Sequence, residues 1–497
     1  MTLTAAQRDR ACGALLATAA GDALGAGYEF DPPMPPDATV DMIGGGLGAF
    51  ERGEWTDDTS MAIAIAEVAA TGADLRDEQA QDHIVDRWSF WAKTAKDIGV
   101  QTSSVLSAAK ARGISARTAR EESEALHRRS GRTAGNGSLM RTAPVALAYL
   151  DDEDALVEAA RAVSELTHFD PEAGDACVLW CLAMHHSILN GELDARLGLD
   201  RIPAKRKDLW SARLDEAEAS QPSAFADKNG WVVAALQGAW SAITNTTVPD
   251  NDSATGLFRA DHLRLALEAA VRGGNDTDTV AAIAGGLLGA VYGASAVPAR
   301  WRLMLHGWPG LDTRGLIALA DKIMAKGGPD RFDYTYGGNP EARQLVQHPY
   351  DDKLWLGGVA ALPKLPKEVD AIVSLCRVAD GHLPVGLTHL DVRLIDYPGE
   401  NENLDFVLLD TVRAVEQFRA EGRTVFLHCV QAQSRTPTIA ALYGARRQRV
   451  DIDTALRDVA EVLPGAHPND EFRTALRRLV PQSPTTASRP VEDEAED

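Results

Sequence analysis

The chain has 497 residues, 45% of them hydrophobic and 25% charged, and a formal net charge of −22. That length exceeds what a single hydrophobic core usually organises, so two or three domains are expected. The charge argues against general binding to nucleic-acid backbone or to an anionic membrane, and no apolar run is long enough to cross a bilayer. The five cysteines (Cys12, Cys177, Cys181, Cys376 and Cys429) are too scattered for a disulfide framework. With no convincing signal-peptide pattern, a reducing, cytoplasmic setting is the expectation.

Residues 1–326 are rich in Ala, Leu and Gly with helical periodicity, as in 61–72, 153–166, 175–189 and 278–294. Long strand-like alternation is missing there, which predicts an all-α domain. The N-terminal small-residue run around Asp22 suits close helix packing. Two acidic clusters lie far apart: Thr56-Asp57-Asp58-Thr59 and Asp276-Thr277-Asp278-Thr279. Each opens an apolar helix, and each taken alone reads as ordinary capping. Packed together, they concentrate at least four carboxylates, which is costly unless cations sit between them. All-oxygen donors suit a hard ion such as Mg²⁺ or Mn²⁺ rather than zinc. His185 and His186, on an apolar helix, read as packing or surface residues.

Residues 327–349 are Gly/Pro-rich and read as a linker. From Lys353 the pattern turns to short apolar strands (354–360, 371–376, 388–396, 424–429) alternating with helices (404–422 and 453–480), predicting a smaller α/β domain over 350–480. The tail 481–497 is polar, acidic and expected to be disordered. Within the α/β part, Val425-Phe426-Leu427 runs into His428 and Cys429, with Arg435 five residues beyond the cysteine and Thr436-Pro437 opening a helix. Strand, tight loop and helix make an oxyanion cradle: loop amides and helix dipole attract an anion, and the arginine fork grips two of its oxygens. A cysteine in that field is expected to act as a nucleophilic thiolate.

The first part resembles the ADP-ribosylglycohydrolases, relatives of the dinitrogenase-reductase-activating glycohydrolase. The resemblance is carried by Gly21-Asp22-Ala23-Leu24-Gly25, WTDDTSM, GNGSLMR (135–141), LTH (166–168) and GGNDTDT (273–279), in family order. It implies an all-helical orthogonal bundle with two Mg²⁺ or Mn²⁺ ions, held by Thr56, Asp57, Asp58, Asp276, Asp278 and Thr279. It makes Glu29 the candidate general acid/base. Asp97, in KDIGVQT, is implied to contact the distal ribose or the leaving side chain. The loop Gly135, Asn136, Gly137 and Ser138 would offer backbone N–H groups to a diphosphate, with His168 near the ADP-ribose.

The second part resembles the protein tyrosine and dual-specificity phosphatases through its Cys-x5-Arg pattern. That implies attack on phosphorus by Cys429, transition-state binding by Arg435, and proton transfer by Asp396, 33 residues before the cysteine, with Asp391 as the alternative acid. Thr436 would donate to the thiolate. One departure is Ala432, where that family commonly has glycine; if the position needs φ > 0, alanine costs about 1 kcal/mol or more.

Together these readings give a multidomain chain: an all-α orthogonal bundle followed by a smaller α/β cysteine-phosphatase domain. The expected function is a bifunctional hydrolase acting on an ADP-ribosylated substrate and on a phosphorylated one. The alternative is an ADP-ribose hydrolase fused to a catalytically weak, phosphate-sensing pseudophosphatase. The carrier of the ADP-ribose and the oligomeric state are not written in the sequence.

Overall fold

The computed structural model describes residues 2–328, 341–378 and 381–480. They form two compact units. One contains described residues of Met1–Asn251, Leu257–Asp333 and Glu400–Phe406; the other contains those of Asp252–Gly256, Tyr334–Gly399 and Val407–Asp497. The chain is mostly helical with a small mixed sheet.

The first unit is built around two helices, Ala5–Gly25 and Thr277–Tyr292. Both are almost entirely buried, and the small residues between them let their backbones touch. A Cβ on Gly21 would lie 2.1 Å from the carbonyl oxygen of Ala281, and one on Gly25 would lie 2.4 Å from Cα of Asp278. No side chain fits at either place, so the pair closes tightly enough to set Asp22 beside Asp278. A third helix, Asp57–Ala69, starts at the same point. Thr56 makes no side-chain cap bond there. Instead Asp22 caps the helix from outside, accepting the Thr56 N–H and the Thr59 N–H at 2.9 Å each. A short hairpin, β1 (His306–Gly307) and β2 (Leu311–Asp312), is the only sheet among the described residues of this unit. It is fixed beside Thr56 by bonds from Trp55 N to His306 O, 3.1 Å, and from Trp55 Nε1 to Trp308 O, 3.2 Å.

The second unit carries a five-stranded mixed sheet of β3 (Leu345–His348), β4 (Asp351–Gly358), β5 (Ala371–Ser374), β6 (Thr388–Asp391) and β7 (Val425–Cys429), in the order β3-β4-β7-β5-β6. The β3 strand is antiparallel to β4, and all other pairings are parallel. All five β7 residues are buried, as a central parallel strand requires.

Two expectations need correction. Strand β3 falls inside 327–349, the segment expected to be a linker; it is an edge strand with little apolar signal, LVQH. Residues 329–340 of that segment lie outside the described residues, as does the tail 481–497. The helical stretch expected over 453–480 is two helices, Ile452–Val462 and Asp470–Leu479. Pro464 and Gly465 end the first, and Asn469 caps the second.

Candidate functional site

The two sequence-distant acid clusters meet in the first unit. Carboxylate oxygens of Asp22, Asp58 and Asp278 lie within 4.8 Å of one another, as do those of Glu29, Asp276 and Asp278. Asp278 belongs to both groups. The Thr56 hydroxyl lies 3.1 Å from Asp58 Oδ2 and 3.5 Å from Asp278 Oδ2. Asp22, Asp58 and Asp278 are no more than 3% exposed. Burial, followed by the neighbouring carboxylates, pushes Asp58 and Asp278 well above the usual carboxylate range. The same causes raise Asp57 to about 7 and Glu29 to about 8, Asp276 and Asp97 being the first like charges acting on Glu29. Two buried oxygens in the cluster, Asp58 Oδ1 and Thr59 Oγ1, have no hydrogen-bond partner. Buried oxygens of this kind are normally satisfied.

Asp57 and Asp276 join this centre to its surroundings. Asp57 Oδ2 accepts the Gly99 N–H at 3.2 Å, which holds the Asp97–Thr102 segment against the cluster. Asp97 itself accepts from Ile98 N at 2.8 Å. Asp276 Oδ2 accepts from the Asn136 side chain at 2.7 Å, and Asp276 N donates to Asn229 Oδ1 at 3.2 Å. The loop Gly135–Ser138 is therefore tied to the acids by a side chain, and the Asn136 N–H, expected to face a diphosphate, is instead bonded to Gly230 O at 3.2 Å. His168 backs the loop: a Cβ on Gly137 would lie 3.1 Å from His168 Cε1. His168 is buried, its Nδ1 is 2.7 Å from Thr167 Oγ1, and burial and then Arg141 hold it well below the usual histidine range. Thr279 is buried beside Asp278 at the start of its helix.

Beyond Asp57 and Asp97 opens a cavity of about 520 Å³. Its walls include Phe50, Trp55, Trp91 and Trp308, and its rim includes Asp57, Asp97 and Asp312. Its lysine, Lys96, is already paired with Glu54 at 2.6 Å, and His306 Nε2 lies 3.4 Å from Glu51 Oε2. The remaining character is aromatic and acidic. Thr56 and Asp57 belong both to this cavity's lining and to the acid clusters, whereas none of Glu29, Gly135–Ser138 or His168 lines it.

In the second unit, β7 delivers Cys429 to the loop 430–434, and Arg435 is the first residue of the helix Arg435–Gln448. Ala432 in that loop has φ 58° and is fully buried. The position does need the left-handed region, and alanine occupies it at a cost of about 1–2 kcal/mol. Arg435 Nη1 donates to the carbonyls of Leu375, 3.1 Å, and Leu394, 2.9 Å. Its Nε is buried without a hydrogen-bond partner and lies 3.6 Å from Asp396 Oδ2. Asp396 Oδ1 accepts from Ser434 Oγ at 2.6 Å and from Asn469 Nδ2 at 3.1 Å. Asp391 is engaged by Arg393 Nε at 2.8 Å. The Thr436 hydroxyl donates to Gly357 O at 3.3 Å, not to the cysteine as the sequence suggested. His428 is buried, bonded through Nε2 to Ser374 Oγ at 2.7 Å, and burial lowers it to about 3.

Sequence reading did not foresee Asp22 as the outside cap, Asn229 as a brace for Asp276, or Ser434 and Asn469 around Asp396, and it placed Asn136 in the diphosphate loop but not as a brace for Asp276. Asp22 and Asn136 were visible within motifs. The others carry no local signal.

Comparison with known proteins divides along the same lines. A family model described as ADP-ribosylglycohydrolase matches residues 3–331. The ADP-ribosylarginine hydrolase Tri1 of Pseudomonas putida (strain GB-1) is 32% identical over 308 residues, covering 60% of this chain and 75% of that protein. The ADP-ribosylhydrolase ARH3 of Homo sapiens is 28% identical over 344 residues, covering 61% of this chain and 91% of that protein. The protein phosphatase Slingshot homolog 3 of Homo sapiens is 33% identical over 150 residues, covering 30% of this chain but 22% of that protein.

Proposed function

We propose, for a chain that belongs to the ADP-ribosylglycohydrolase family and hydrolyses ADP-ribosyl substrates, a metal-dependent release of ADP-ribose from arginine side chains and a second, cysteine-dependent phosphate monoesterase. Residues 1–326 form the glycohydrolase as a helical, orthogonal bundle. The α/β phosphatase domain runs to residue 480, its sheet starting at Leu345.

The observation that carries the first activity is the buried acid junction. Its oxygens are crowded and partly unsatisfied, its donors are oxygen only, and Asp278 is shared by two groups of acids. That donor set fits two hard divalent cations, Mg²⁺ or Mn²⁺. Thr56, Asp57, Asp58, Asp276, Asp278 and Thr279 would hold them, with Asp22 shaping the centre. Bound there, such ions would supply Lewis-acid polarisation and a template for the ribose. The chain's own groups do the rest. Glu29, whose carboxylate oxygen lies within 4.8 Å of those of Asp276 and Asp278, is placed to give a proton to the departing group. Gly135–Ser138 cradles the diphosphate. The aromatic, acidic cavity beyond Asp57 receives the leaving side chain, and its chemistry suits a guanidinium.

The test is ADP-ribose release by purified protein with Mg²⁺ or Mn²⁺ from arginine-, serine- and phosphate-linked substrates. Arginine should be preferred. Equal rates on all three would sink the acceptor assignment, and activity undiminished by a chelator would sink the metal assignment.

The second activity rests on Cys429 and Arg435 flanking one loop and on Asp396 beside it, bonded to Ser434 of that loop and 3.6 Å from the Arg435 Nε that an oxyanion would engage. Hydrolysis of 4-nitrophenyl phosphate, absent in Cys429→Ser, is expected. Phosphate or tungstate binding without turnover would favour a phosphate sensor.

A further inference from the structure

The Asp396 carboxyl is oriented by two residues that lie outside the Cys429–Arg435 motif and its acid loop, or that carry no chemistry in it. Oδ1 receives two donors, Ser434 Oγ at 2.6 Å and Asn469 Nδ2 at 3.1 Å. The Asn469 amide has a fixed orientation, because its Oδ1 caps the helix Asp470–Leu479 by accepting the Phe472 N–H at 2.9 Å. Its Nδ2 is thereby left to face Asp396. Ser434 is fixed in turn, since its Oγ accepts the Asn469 N–H at 3.4 Å while donating to Asp396. The acid loop is held to the same helix a second time, Gly399 N donating to Glu471 Oε2 at 3.1 Å.

We infer that Asn469 and Ser434 are positioning residues for the proton transfer by Asp396, an inference that rests on the phosphatase reading above. A carboxylate oxygen has two lone pairs in its plane, and both on Oδ1 are occupied by donors. Oδ1 therefore cannot carry the transferable proton. That proton sits on Oδ2, which lies 3.6 Å from Arg435 Nε and so beside the group that holds the phosphoryl oxygens. As Cys429 Sγ forms its bond to phosphorus and the bond from phosphorus to the ester oxygen breaks, the Oδ2 proton passes to that leaving oxygen. In the second half, water adds to phosphorus, sulfur departs as thiolate, and Oδ2 takes the proton from water. Asn469 and Ser434 keep one oxygen of the acid dedicated to this exchange.

The experiment compares the full chain with Asn469→Ser and Ser434→Ala on two esters. Serine retains helix-capping ability at 469 but is too short to reach Asp396. One ester is 4-nitrophenyl phosphate, whose leaving oxygen departs without help. The other is phosphotyrosine, whose leaving oxygen has a pKa of about 10 and needs the proton. General acid catalysis contributes roughly 10²–10⁴-fold, so loss of orientation should raise the ratio of the two rates, activated over unactivated, by about tenfold or more in each variant. Equal losses on both esters would mean a structural role only and would overturn the inference. Wild-type chain that turns over neither ester would refute the phosphatase reading itself, and the positioning role with it. Unfolding curves of the variants separate a misfolded domain from a misaligned acid, and Ser434→Ala gives the answer where Asn469→Ser fails to fold.

Discussion

Asp57→Asn should stabilise the protein in the presence of a chelator while abolishing ADP-ribose release. In the fold, Asp57 is raised from 3.8 to about 7, by burial first and then by Asp97 and Asp22, against a lowering bond from Gly99. A folded-state value above the unfolded one means that the protonated form is favoured by folding. The contribution is fully present below about 4 and is lost as pH rises through about 7. A shift of about 3 units at about 1.4 kcal/mol each amounts to about 4 kcal/mol against the fold at high pH. The amide of asparagine keeps an acceptor for Gly99 N–H but carries no charge to bury. It forfeits the interaction of an anion with the helix N-terminus, about 0.3–1 kcal/mol. The net expectation is about 3 kcal/mol in favour of the variant at pH 8, shrinking to nothing near pH 4. Urea unfolding of chelator-treated protein at pH 4, 6 and 8 reads this directly. Adding Mn²⁺ should reverse the order, because wild type then gains ligand-linked stability that the variant lacks. A variant no more stable than wild type at pH 8, or a gap independent of pH, would refute the electrostatic account of the acid junction.

Further outcomes follow from the same geometry. Asp278→Ala removes the carboxylate common to both acid groups, so calorimetric titration with Mn²⁺ should show loss of both ions rather than one. Trp308→Ala, in the cavity wall beyond Asp57, should raise KM for an ADP-ribosylated arginine peptide several-fold while changing KM for a small activated ADP-ribosyl ester little; parallel changes would remove the cavity from the acceptor site. Cys429 should be alkylated by iodoacetamide near pH 6 ahead of the other four cysteines, with tungstate protecting it; unprotected alkylation would mean that no oxyanion cradle exists.

What could be read from the sequence followed the distance over which each signal acts. The TDDT and NDTDT clusters were readable because oxygen donors at helix starts are a local pattern. The part played by Asp22 was not, because its burial depends on Gly21 and Gly25 meeting a helix some 250 residues later. The edge strand β3 carries only LVQH, too little alternation to separate it from a linker. Asn469 disappeared into a stretch read as continuous helix, although Pro464 and Gly465 were there to break it. The sequence posed the Ala432 question correctly but could not answer it, since φ is a property of the folded loop. At 58° the alanine adopts the conformation that glycine would take freely, and the strain of about 1–2 kcal/mol is borne by a loop fixed at both ends. The strand β7 holds one end through its pairing of Cys429 with Gly358. Arg435 holds the other through the Leu375 and Leu394 carbonyls. Such a cost is an appreciable part of a domain's net stability of about 5–15 kcal/mol, and the two fixed ends are what hold the loop in this conformation. The loop therefore keeps its left-handed turn with alanine at 432, and on the proposed phosphatase reading turnover would depend on how Asp396 and Arg435 are held as well as on this residue.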